Sequence, residues 1–93
     1  MNVKEAVELA KRHIVDIYAA ENVTNVGLEE VDFDEAKGIW YVTIGFSRPW
    51  DEPRNALAAL AAQGAYTKRV FKTLRVADNG GQILSIKNRD TAA

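Results

Sequence analysis

The sequence predicts an α+β domain, with one N-terminal helix packed on a four-stranded antiparallel meander and a mobile or short-helical excursion between strands 2 and 3. Three observations carry this reading. Between Ile39 and Ser47 the residues Trp40, Val42, Ile44 and Phe46 alternate with Ile39, Tyr41, Thr43, Gly45 and Ser47, the period of a strand laid over a core. In the leading segment, Val3, Val7, Ala10, Ile14 and Ile17 recur at the spacing of one helical face. Two turn signals, Asp34-Glu35-Ala36-Lys37-Gly38 and Asp78-Asn79-Gly80-Gly81, separate apolar runs as hairpin loops do.

Taken in order, the helix is expected from Asn2 to about Glu21. Asn2 is a suitable N-cap and Glu5 stands at capping-box spacing, while Asn22 tolerates the left-handed conformation that ends a helix. Ala6, Leu9, His13 and Tyr18 flank the apolar stripe. The first strand is expected over about 24–34, with Val26, Leu28, Val31 and Phe33 as its apolar residues. Its period breaks between Leu28 and Val31. Either a bulge at Glu29-Glu30 resets the register or the strand is apolar on both faces; the second is preferred, because Ile39 and Tyr41 supply apolar company on the far face.

The second strand, about 38–48, is the apolar centre, and β-branched and aromatic residues fill it. Pro49 and Pro53 cannot continue a ladder, so it ends there. Arg54 to Gln63 is rich in alanine, which allows a short helix by propensity, or a mobile loop because it has little to bury. The third and fourth strands are expected over about 66–77 and 82–89, with Val70, Leu74, Val76, Leu84 and Ile86 inward and Phe71, Arg75 and Ile83 outward. Asp90 to Ala93 reads as a frayed tail.

The order of a helix followed by hairpin-connected strands resembles the cystatin-like arrangement. Val76-Ala77-Asp78-Asn79-Gly80-Gly81-Gln82-Ile83-Leu84, with Trp40-Tyr41-Val42-Thr43 and the leading helix, is similar to small bacterial PepSY-type domains. The resemblance implies the fold. It carries no inhibitory residue over, because the first hairpin lacks the Gln-x-Val-x-Gly motif of cystatin inhibitors and Pro49-Trp50 follows the second strand.

With 93 residues the chain is one domain. Its formal charge of −1 gives no global attraction to nucleic acid or anionic membranes. The absence of cysteine excludes a disulfide framework and a thiolate metal site. No apolar leader or membrane run opens the sequence, which reads as a cytoplasmic protein.

Candidate chemistry is sparse. His13 is the single histidine and stands on the helix flank without a nucleophile or further metal ligands beside it, so it reads as structural. The acidic run Glu29, Glu30, Asp32, Asp34 and Glu35 lacks calcium-loop spacing and reads as a solvated edge strand. Lys68, Arg69, Lys72, Arg75, Lys87 and Arg89 gather in the last hairpin, but match no RNA-binding signature. Gly80-Gly81 is a turn, not a phosphate loop. Trp50, beside prolines, is a candidate loop anchor or a cap on the open end of the core.

No catalytic residue, metal or cofactor is therefore expected. The expected function is a non-enzymatic protein-binding or interaction module, self-associating as a homodimer through an outer sheet face carrying Phe33, Ile39, Tyr41, Phe71, Ile83, Arg69 and Arg75. The alternatives are an immunity protein or peptidase regulator that neutralises a protein partner, and a small-ligand carrier or enzyme using the helix–sheet cavity. Nucleic acid and membrane partners are not expected.

Overall fold

The computed structural model describes residues 1–51 and 69–89. In chain order it comprises α1 (Val3–Ile17), a 3₁₀ turn (Ala19–Glu21), β1 (Thr24–Asp34), β2 (Ile39–Ser47), a second 3₁₀ turn (Pro49–Asp51), β3 (Val70–Ala77) and β4 (Ile83–Asn88). The four strands form one antiparallel sheet in the order β1-β2-β3-β4, the expected meander, with α1 against one face. The excursion expected over Arg54 to Gln63, Lys68 and the tail from Asp90 lie outside the described residues.

The capping box forms as the sequence predicts: Asn2 Oδ1 accepts from the Glu5 amide and Glu5 Oε1 from the Asn2 amide, each at 2.9 Å. The buried stripe of α1 is Ala6, Ala10 and Ile14: Ala10 and Ile14 stand where the sequence places them with Val7 half-buried beside them, while Ala6, expected on the flank, faces in. Val3 and Ile17, placed inward by the sequence, are 44% and 56% exposed. Two alanines let the helix lie close on the sheet, and that proximity decides which stripe faces in. The helix also stops at Ile17, short of the expected Glu21, because Tyr18 leaves helical geometry and its ring packs 5.1 Å from that of Phe46.

Val42, Ile44 and Phe46 of β2, with Leu74 and Val76 of β3, are fully buried under α1. Each such side chain contributes roughly 1.5–3 kcal/mol by leaving water. Trp40 packs at the margin of this core.

β1 corrects the preferred reading of its broken period. Leu28 pairs with Ile44 but Glu30 pairs with Thr43, so Glu29 is an extra residue, and the register also shifts between Thr24 and Gly27. The strand is bulged, not apolar on both faces. Leu28 pairs beside Ile44, Val31 beside Val42 and Phe33 beside Trp40, all on the helix side of the sheet. The Phe33 and Trp40 ring centroids are 4.5 Å apart.

β4 holds a second correction. Arg75 pairs with Ser85 and Val76 with Ile83, which makes Leu84 the extra residue. Ile83, expected outward, packs against the core beside Val76, and Leu84, expected inward, is 43% exposed. In β1 the bulge keeps apolar residues on both sides of the break under the sheet, whereas in β4 it exchanges Leu84 for Ile83.

The turns interlock. Gly38 takes φ 64° and its carbonyl accepts from the Asp78 amide at 2.9 Å, holding the two hairpin turns side by side. The Asp78 carboxylate accepts from the Trp40 indole N–H at 2.9 Å and meets the Met1 ammonium at 3.1 Å. These contacts, led by the indole hydrogen bond, hold its pKa below the ordinary aspartate value.

Candidate interaction surface

The face of the sheet opposite α1 is built by the second half of each alternation. β1 places Glu30, Asp32 and Asp34 there, β2 places Ile39, Tyr41, Thr43 and Gly45, β3 places Phe71, Thr73 and Arg75, and β4 places Ser85 and Lys87. Of the residues the sequence assigns to this face, Ile39, Tyr41, Phe71, Arg69 and Arg75 gather on it. Phe33 and Ile83 do not, because the bulges turn them under the sheet.

Arg69 organises one end. Its Nη1 donates to the Asn25 carbonyl at 2.9 Å and its Nη2 to Glu29 Oε1 at 3.3 Å, so one guanidinium holds both irregular points of β1. To reach them it crosses β2 at Gly45, where an added Cβ would stand 2.6 Å from Nη2. A glycine in the middle of a strand here leaves room for another side chain to pass. Sequence reasoning missed this clamp; Gly27 and Gly45, which pair across β1 and β2, were its only local trace.

The centre is tightly covered. Thr43 is 3% exposed and its hydroxyl meets that of Thr73 at 2.9 Å. Phe71 lies under two guanidiniums, with Arg89 4.1 Å and Arg69 6.0 Å from its ring centre. Arg75 donates through Nε to Ser85 Oγ at 2.8 Å. Between these strands lies a groove of about 300 Å³ lined by Tyr41, Thr73, Arg75, Ser85, Lys87 and Asn88.

Charge on this face is segregated. The carboxylates of Asp32 and Asp34 accept only backbone amides, from Phe33 and Lys37, and Glu30 is exposed. Among the described residues no lysine or arginine pairs with these three acids, and no carboxylate pairs with Arg75, Lys87 or Arg89. The edge at β1 is thus acidic, and the β3–β4 side basic.

Trp50 lies in the 3₁₀ turn that follows β2, 54% exposed, with the Arg48 guanidinium 5.1 Å from its ring. A second concavity runs along α1 and β1, lined by Val3, Lys4, Val7, Glu8, Lys11 and Leu28. His13 is half-buried on α1. Among the described residues no group of three or more His, Asp or Glu side chains converges to hold a metal ion, and no helix is long and apolar enough to cross a membrane. The chain matches no protein-family model, no curated protein and no solved structure.

Proposed function

We propose that the chain is a small non-enzymatic interaction module, cytoplasmic in location, that self-associates as a homodimer through its outer sheet face. The observation that carries this reading is the segregated charge: among the described residues, acids without a cationic partner on β1 and bases without a carboxylate partner on β3 and β4, on one face of the sheet. A two-fold axis lying in the interface plane, parallel to the strands and passing near Tyr41, sets the acidic side of each copy on the basic side of the other. With Phe33 and Ile83 half-buried on the helix side, Ile39, Tyr41 and Phe71 remain as the apolar centre, so charge carries more of the association than the sequence implies. Exposed ion pairs contribute at most about 1 kcal/mol each and are screened over about 10 Å at 0.1 M salt. A weak, salt-sensitive dimer is expected.

Sedimentation velocity tests it. Wild type should sediment as a dimer at low salt and shift toward monomer as salt rises, and Tyr41→Glu, which places an unpaired charge at the centre, should be monomeric throughout. Identical monomeric behaviour of both sinks the proposal. The reading as a regulator or immunity protein uses the same face toward a different protein, and exposed Trp50 favours it as a second anchor. A one-to-one heterocomplex weakened by Trp50→Ala would select it. The carrier or enzyme reading finds no support in the core, where the buried side chains under α1 among the described residues are all apolar.

A further inference from the structure

The groove between β2, β3 and β4 has a chemistry of its own. Its cations are Arg75 and Lys87, its other polar side chains are neutral, and no carboxylate lines it. Arg75 is fixed by its Nε hydrogen bond to Ser85 Oγ, which leaves both Nη groups of the fork to donate. Because Ser85 Oγ accepts in that bond, its own proton is free to donate. The Thr43 and Thr73 hydroxyls share a single hydrogen bond, so the pair retains a second proton for donation.

A pinned guanidinium, an ammonium and hydroxyl donors around one concavity match the demands of an oxoanion, which needs several convergent donors and a planar fork. Among the described residues, no carboxylate of β1 pairs with Arg75 or Lys87. We infer that this groove is an oxoanion-binding site, taking the carboxylate or phosphate group of a small ligand with the Tyr41 ring flanking the ligand's body. The site belongs to the single chain. It shares the face proposed for self-association but does not depend on it.

Two sources of oxoanion are distinguishable: free inorganic phosphate, and a carboxylate, for which acetate serves as probe. Each is titrated into dilute full-length protein at constant ionic strength, with chloride as the control, while backbone amide shifts are followed by NMR. Saturable shifts confined to Thr73, Arg75, Ser85 and Lys87 are expected for phosphate and, more weakly, for acetate. Arg75→Lys keeps the charge but loses the fork, and should weaken phosphate binding about tenfold; Lys87→Gln should weaken it several-fold. Shifts elsewhere must stay at wild-type positions, which shows that each variant is folded.

Unsaturable shifts, an equal response to chloride, or unchanged affinity in Arg75→Lys would overturn the site. A salt-sensitive dimer without phosphate binding overturns this inference and leaves the self-association reading standing. A monomer that binds phosphate does the reverse.

Discussion

Arg69 and Glu29 are 40 residues apart in sequence, yet their contact holds the bulged course of β1. Gly45→Ala would put a methyl group 2.6 Å from Arg69 Nη2 and 3.1 Å from Glu29 Oε1. The far end of an arginine is flexible, so it should move away and lose its hydrogen bonds to Asn25 and Glu29, at a cost of about 1 kcal/mol. Arg69→Ala should cost a similar amount, and the double variant less than the sum, because both changes remove one set of contacts. Urea denaturation of the single and double variants measures this; simple additivity would separate Gly45 from the clamp. At the other end, Asp78 gives a pH signature. Its folded pKa lies below the ordinary value, so its contribution is present above about pH 4 and lost as pH falls through the folded value. Asp78→Asn keeps an oxygen for the Trp40 indole but removes the charge. Its melting temperature should fall below wild type at pH 7, with the difference closing under about pH 4. A gap that does not narrow as pH falls below about 4 would show that the charge does not matter.

Among the elements, the β1–β2 hairpin tests how the chain chooses its faces. Deleting Glu29 removes the extra residue and leaves Leu28, Glu30, Val31, Asp32 and Phe33 in plain alternation, so Leu28, Val31 and Phe33 stay on the helix side. The deletion variant should therefore fold, losing about 1 kcal/mol with the Arg69–Glu29 contact. A loss of about 3 kcal/mol, the size expected if apolar area returned to water, would mean that the bulge is not the device that aligns the two halves of the strand. Trp40→Ala should cost about 3 kcal/mol, because it removes the partner of both Phe33 and Asp78. Much of this level was legible in the sequence. The capping box, the strand order and the glycine turns follow from residues within a few positions of one another. The bulges were not, because the broken period between Leu28 and Val31 has two local solutions. The choice rests on Arg69 and Gly45, which become neighbours of Glu29 only after folding. On the helix, Ala10 and Ile14 were legible, but Val3 and Ile17 were placed inward on hydrophobicity alone, whereas closeness to the sheet favours Ala6. On the outer face, Ile39, Tyr41, Phe71, Arg69 and Arg75 were legible from simple alternation. Phe33 and Ile83 were lost with the bulges that precede or adjoin them.

At the scale of the molecule, α1 covers one face of the sheet and the other carries the charge pattern. If stacked copies meet acid on base, then Asp32→Lys should lower dimer affinity about tenfold, and adding Arg75→Glu should restore part of it by exchanging the two signs. Sedimentation equilibrium at low salt measures both, and no recovery in the double variant would place the contact elsewhere. The strand order has a further consequence. The sheet ends at β1 and β4, and each of these outer strands carries an extra residue, at Glu29 and at Leu84. A strand interrupted in this way offers an incoming chain a broken row of amides and carbonyls, so lateral addition of further strands is frustrated on both sides. Copies can meet face to face in pairs, but they cannot polymerise into fibres without first straightening an edge, and at β1 the barrier to that conversion is the same apolar packing that put Val31 and Phe33 under the sheet.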